Sequence, residues 1–178
     1  MLYTIMEIHL VRHIEPSIEK GICYGQLDVA IPENYQQQHQ QIINDLSKDF
    51  DAIFSSPLNR CKLLADQFSD NVIFDKRLME VNFGDWEGKN WNDINQTELN
   101  TWMENYITIS PPNGESLTEL LNRFSNFITE IKVNNYNKVL IFTHAGIIRC
   151  AMNLFNQTPL DKVMMEKADY GKGLTFFT

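Results

Sequence analysis

"KVLIFTHAGIIRCAMNLF", Lys138 to Phe155, holds two patterns joined at one histidine. "KVLIFT" (138–143) is the clearest strand in the chain, rich in the aliphatic and β-branched residues that suit a pleated, buried surface. "AGIIRCAMNLF" after it predicts a helix. A strand that runs straight into a helix is the unit of an α/β sheet. In an open α/β sheet, ligands bind at the carboxyl ends of the strands. His144 occupies that address. The same address recurs near the start of the chain, in "HLVRHIEP" (9–16). Ile8, Leu10 and Val11 predict a strand, Arg12-His13 follow it, and Glu15-Pro16 stop it, because proline cannot donate to a sheet ladder.

Outward from these two stretches, the chain alternates. Strands are predicted over 6–12, "DAIFSS" (51–56), "NVIFD" (71–75), 138–143 and "GLTFFT" (173–178). Helices are predicted over Asn34–Leu46, with Ile42, Ile43 and Leu46 as its apolar contacts, over Leu58–Phe68, over "ESLTELLNRFSNFITEI", and after His144. Residues 76–135 lack strands and carry Trp86, Trp91 and Trp102. The expected fold is therefore α/β, a mostly parallel sheet flanked by helices on both faces. One domain spans 1–178, with a helical cap subdomain inserted at roughly 76–135.

Composition narrows the classes. The 43% hydrophobic and 21% charged content is that of a globular chain, and no window approaches a membrane span. The start lacks a basic region and a cleavage site, so no signal peptide is expected, and Met6 is an alternative initiator. Cys23, Cys61 and Cys150 are odd in number and widely spaced, which suits reduced thiols and a cytoplasmic location. A net charge of −8 argues against a nucleic-acid partner. It leaves room for a small anionic substrate, since a few arginines in a cleft make a local positive site.

Three basic elements share the strand-end address: Arg12-His13, Arg60 in "SSPLNRC", and His144. Singly, each has a bland explanation as a hydrogen-bonded structural histidine or a solvated helix arginine. Adjacent parallel strands would bring all three to one edge, and that joint placement favours a site. Ala145 and Gly146 open a helix there, and the free amides of a helix start attract an anion. Pro57 suits a first helical turn, and Arg60, one turn in, suits phosphate recognition. No Walker-type phosphate loop is present, and no carboxylate cluster or His/Cys spacing predicts a metal or other cofactor. His9 and His39 are expected to be structural.

"VRHIE", "SSPLNRC", "EVNFGDWEG", "NGES" and "FTHAGIIR" resemble, in order and spacing, the histidine phosphatase superfamily, the phosphoglycerate-mutase-like proteins. The resemblance covers nearly the whole chain. It implies a phosphoglycerate-mutase-like fold, His13 as nucleophile, Arg12, Arg60 and His144 as the phosphate pocket, and Glu80 as proton donor. Ile14 stands where that family most often has glycine, and its branched side chain is expected to narrow the approach to the pocket. "GICYGQLD" (21–28) resembles the alpha-ribazole phosphatase branch, which acts in cobalamin nucleotide-loop assembly. On that resemblance Tyr24 and Gln26 join Arg12, Arg60, His144 and Ala145 as substrate-binding residues, and the partner is a small-molecule phosphate monoester.

Neutral imidazole attacks phosphorus, and a histidine's ordinary pKa near ~6.5 leaves much of it neutral at pH 7. Arginines and a protonated or donating His144 would stabilise charge on the transferring group without a metal. Glu80 would protonate the leaving oxygen, with the Trp-rich cap as the source of its desolvation. Glu87 is the rival acid, and spacing cannot separate the two. Glu115 reads as the first-turn acid of its helix. The alternatives are a broad small-molecule phosphatase, a mutase-like enzyme, and a phospho-ligand binding module without turnover. No extra basic cluster for a second phosphate is visible in the cap.

Overall fold

The computed structural model describes residues 5–178. Of the residues ahead of Met6, 1–4 lie outside it. Strands β1 (Glu7–Arg12), β2 (Ala52–Ser55), β3 (Ile73–Phe74), β4 (Lys138–Thr143) and β5 (Gly173–Phe177) form one sheet in the order β3-β2-β4-β1-β5. All neighbours pair in parallel except β5, which runs antiparallel to β1. The helices are α1 (Tyr35–Asn44), α2 (Asn59–Phe68), α3 (Gln96–Asn105), α4 (Leu117–Lys132) and α5 (Ala145–Asn156).

Side chains alternate across a strand, and the two central strands show how this divides the core. Ile8 and Leu10 of β1 and Val139 and Ile141 of β4 face the layer of α4 and α5, where Phe124, Phe127 and Ile147 are buried. Val11, Leu140 and Phe142 face the opposite layer, where α1 and α2 contribute Ile43, Cys61, Leu64 and Ala65. Each of these large side chains contributes roughly 1.5–3 kcal/mol on burial. The α/β architecture with helices on both faces is as the sequence predicts.

Some boundaries differ. β3 pairs only Ile73 and Phe74 with β2, and both side chains are exposed, so this edge gains little from burial and stays short. Leu58 caps α2, which places Pro57 just outside the helix. Ser116 caps α4 in a capping box with Glu119, so Glu119, and not Glu115, is the first-turn acid. Within the stretch 76–135, α4 is a sheet helix: Leu120, Phe124, Phe127, Ile128 and Ile131 are buried in the main core.

The part ahead of α4 builds a separate aromatic cluster. Trp86, Ile94 and Leu99 are buried with Cys23, and Phe83, Trp91 and Trp102 pack against them. Cys23 ties the 21–28 loop to this cluster by burial and through two backbone bonds, its N–H to Lys89 O and Gly88 N–H to its own carbonyl, each 2.8 Å. Gly25 is required by this approach, because a Cβ there would stand 2.0 Å from the Val81 carbonyl oxygen. No helix among the described residues is long and apolar enough to cross a membrane.

His39 of α1 is fully buried, edge-on to Tyr35, with neither ring nitrogen partnered among the described residues. Burial lowers its pKa from 6.5. Below that pH the unfolded chain binds the proton more readily than the folded one, so this group's contribution to stability falls as pH falls. Replacing an orphaned polar ring by an apolar side chain removes a cost of about 1–3 kcal/mol. His39→Leu should therefore match or exceed the wild-type urea midpoint near pH ~7.5, with a wider margin near pH ~5.5. A variant less stable at both values would show that the ring is satisfied in solution.

Candidate active site

The register of the two central strands builds the site. Arg12 of β1 pairs with Thr143 of β4, so the next residues, His13 and His144, leave the sheet side by side. Their rings meet edge-on with centroids 5.0 Å apart. β2 lies against β4, and Ser56 N–H continues the ladder to Phe142 O before the chain turns into α2 and delivers Arg60. A cavity of about 190 Å³ opens over these strand ends. Of the residues expected to form the site, Arg12, His13, Tyr24, Arg60, Glu80 and Ala145 line it.

His13 Nδ1 lies 2.6 Å from the Ile14 carbonyl oxygen. A carbonyl only accepts, so Nδ1 carries the hydrogen and Nε2 keeps its lone pair. Burial, then the Arg60 charge, hold the His13 pKa well below its ordinary value. The ring is thus neutral at physiological pH. Ile14 is buried but is not among the cavity's lining residues; it borders a different depression, with Gln38 and Ile42. The expected narrowing does not occur, because the side chain leaves the strand end on the other side.

His144 is more deeply set than expected. It is fully buried and is not part of the cavity wall, and its Nε2 shares a 2.8 Å hydrogen bond with the Ser56 hydroxyl. Burial and the neighbouring His13, Arg60 and Arg12 push its pKa well down, which favours a neutral ring packed against His13.

The arginines are held by carbonyls. Arg60 donates from Nη2 to Gly25 O at 2.5 Å and from Nη1 to Leu27 O at 3.0 Å, which fixes its fork against the 21–28 loop. Arg12 donates from Nη1 to Ala168 O at 2.5 Å. Neither has an ion-pair partner among the described residues. Their Nε atoms are buried without a partner as well.

The two candidate acids separate cleanly. Glu87 accepts from three backbone amides, those of Gln26, Leu27 and Phe83, at 2.8, 2.5 and 3.0 Å. It stitches the 21–28 loop to the 83–88 turn and does not line the cavity. Glu80 does line it, with Oε1 accepting from Val81 N–H at 2.9 Å and Gly146 N–H at 3.0 Å. Gly146 is a necessity of this contact, since a Cβ there would lie 2.2 Å from Glu80 Oε1. Glu115 borders the cavity, but Arg123 neutralises it through bonds of 2.6 and 3.0 Å. Arg123 also donates to the Glu80 carbonyl, as does the Gln26 amide. Gln26, expected against substrate, supports the Glu80 backbone and is not in the cavity wall.

Other residues enter that the sequence did not mark. Arg149, within the quoted "THAGIIR", lines the cavity with only a 3.3 Å bond from Nε to Glu166 O. Tyr170 stacks beneath Arg12, its ring centroid 3.6 Å from Arg12 Cζ. Helical position could have pointed to Arg149, one turn after Ala145. Nothing local marks Tyr170, which comes from the turn before β5. Among the described residues no group of His, Cys, Asp or Glu is arranged to hold a metal ion.

Residues 8–171 match the sequence profile of the histidine phosphatase superfamily (branch 1). The chain is 28% identical over 161 residues to phosphoserine phosphatase 1 of Hydrogenobacter thermophilus, covering 83% of this chain and 76% of that one. It is 24% identical over 178 residues to the adenosylcobalamin/alpha-ribazole phosphatase of Escherichia coli, covering 93% and 87%. The crystal structure of the alpha-ribazole phosphatase from Shigella flexneri superposes with a TM-score of 0.85 at 25% identity, over 97% of this chain and 94% of that one.

Gly146→Ala should displace the Glu80 carboxylate while leaving the sheet intact. Misplacing a reacting group by about 1 Å costs on the order of 10²-fold in rate, so hydrolysis of an alkyl phosphate should fall by about that factor with an unchanged melting temperature. Wild-type turnover in the folded variant would show that the Gly146 contact does not place Glu80.

Proposed function

Because the chain belongs to branch 1 of the histidine phosphatase superfamily, we propose that it hydrolyses phosphate monoesters in two steps through a phosphohistidine at His13. One observation carries this reading: a neutral His13, its tautomer set by Ile14, shares a cavity with Arg12, Arg60 and Glu80. In the first step the Nε2 lone pair attacks phosphorus and the ester P–O bond breaks. The leaving oxygen takes the Glu80 proton. Charge on the three phosphoryl oxygens is met by Arg12, Arg60 and the Ala145 end of α5, a preorganised set of donors. The partnerless Nε atoms of the two arginines support this, since an anion seated between them offsets the cost of donors left unpaired. In the second step ionised Glu80 takes a proton from water as that water attacks phosphorus. The Nε2–P bond breaks and inorganic phosphate leaves. His144 contributes as a neutral ring behind His13, and no step requires a metal.

The part of the chain between β3 and α4 acts in this reading as a cap on a single domain. Its Phe83, Trp102 and Tyr106 border the cavity beside Leu117 and Leu120. These apolar walls, and the Cys23-Tyr24-Gly25 element, support alpha-ribazole 5′-phosphate of cobalamin biosynthesis as the substrate, its flat base lying against the aromatic wall. Arg149 favours a second reading, a small phosphorylated acid such as phosphoserine, because its guanidinium has no carboxylate partner among the described residues. Initial rates on both esters distinguish the two.

The mechanism is tested by quenching the enzyme during turnover of a ³²P-labelled monoester. An acid-labile, base-stable label on His13 is expected, and His13→Ala should abolish both label and activity. Label on serine or cysteine, or none in an actively turning-over enzyme, would overturn the phosphohistidine.

Glu80→Gln keeps the side-chain shape but has no proton to deliver. In single turnovers it should lose on the order of 10²-fold or more on an alkyl phosphate. On an aryl phosphate, which leaves as a stabilised phenolate, the loss should be much smaller. Equal losses on the two would remove Glu80 from the acid role.

A further inference from the structure

The turn that precedes β5 reaches back over Arg12 and His13 with an unusual concentration of contacts. Gly171, at φ +65°, donates its N–H to His13 O at 3.1 Å, and Arg12 N–H donates to Lys172 O at 3.0 Å. Ala168 O takes one Arg12 Nη1 hydrogen at 2.5 Å. Between these anchors, the Tyr170 ring lies 3.6 Å from Arg12 Cζ and 5.6 Å from the His13 ring centroid. The Tyr170 hydroxyl shares a 2.7 Å hydrogen bond with the hydroxyl of Tyr24, which is on the 21–28 loop and in the cavity wall.

A guanidinium on a long, flexible stem is useful to a phosphoryl group only in one plane, and orienting it costs side-chain entropy. Here one edge is held by a carbonyl and one face by an aromatic ring, which together leave Arg12 a single orientation toward the cavity. Tyr170 itself is not in the cavity wall, so it acts through Arg12 and Tyr24. We infer that Tyr170 is a positioning residue for the phosphoryl-transfer step: its ring sets the plane of Arg12, and its hydroxyl latches the 21–28 loop, whose Gly25 and Leu27 carbonyls hold Arg60. The turn before β5 thereby couples both arginines. This inference rests on the phosphohistidine reading.

The two halves of Tyr170 are separable. Tyr170→Phe keeps the ring and loses the latch; Tyr170→Met keeps bulk and loses the aromatic face. At saturating aryl phosphate, Tyr170→Met should slow phosphorylation of His13 on the order of 10²-fold, while Tyr170→Phe retains most of the rate and shows a raised KM. Tyr170→Phe and Tyr24→Phe should be non-additive in combination, because each removes the same hydrogen bond. Arg12→Lys supplies the control against a merely structural role. Lysine has no plane to set, so adding Tyr170→Met to it should cost little further.

A folded Tyr170→Met with wild-type phosphorylation rate overturns the inference, as does full additivity with Arg12→Lys. If Tyr170→Met fails to fold, Tyr170→Leu takes its place, and the Phe variants still test the latch: additive losses overturn it. Labelling of His13 in the wild-type enzyme reports on the phosphohistidine separately. Labelled wild type with an indifferent Tyr170 removes only this inference, whereas turnover without label removes both.

Discussion

Parallel pairing of β1 with β4, in the register that sets Arg12 opposite Thr143, is the constraint on which the site depends. It brings two histidines separated by most of the chain into edge contact. A shift of one residue would turn every side chain of one strand to the opposite face. Ile8 and Leu10 would then exchange places with Val11 and its neighbours, against the separate cores on the two faces of the sheet. The hydrophobic pattern that stabilises the fold therefore also fixes which residue emerges at the strand end. Packing and site geometry are one requirement here.

Setting a buried Arg60 and a half-buried Arg12 beside two buried histidines, with no ion pair to either arginine among the described residues, is electrostatically expensive, and the chain meets the cost in two ways. The histidines stay neutral, held so by burial and by the arginines beside them. The arginines keep their charge but spend donors on backbone carbonyls of Gly25, Leu27 and Ala168, whose dipoles attract without neutralising. Three arginines, Arg12, Arg60 and Arg149, line the cavity against two carboxylates, Glu80 and Glu115, in a chain whose formal charge is −8. Local arrangement, and not composition, sets what this cavity attracts.

Carboxylates are distributed by the same logic. Glu115 is neutralised by Arg123, and Glu87 is saturated by three amides, so both serve the architecture. Glu80 faces the cavity, with Gly146 supplying the space and one amide. Gln26 and Arg123 hold its backbone from opposite elements of the fold. The placement of one acid thus draws on the 21–28 loop, α4 and the start of α5.

By itself, the sequence determined the α/β class, the alternation of strands and helices, and the identity of the strand-end residues, because these follow from local periodicity and from where apolar runs stop. Arg12, His13 and Arg60 were marked as candidates for that reason, whereas Glu80 was marked only by the resemblance to a known family. Local pattern could not separate Glu80 from Glu87, since both occupy one short loop, and only the three amides around Glu87 do so. Nor did it show that the Gln26 amide holds the Glu80 backbone or that Ile14 borders a different depression. It gave no sign of Tyr170, which lies 158 positions after Arg12 in the chain and touches it only because β5 returns antiparallel to β1. Periodicity carries information over a few residues, whereas the contacts that orient a reacting group are made between segments that meet only when the sheet closes.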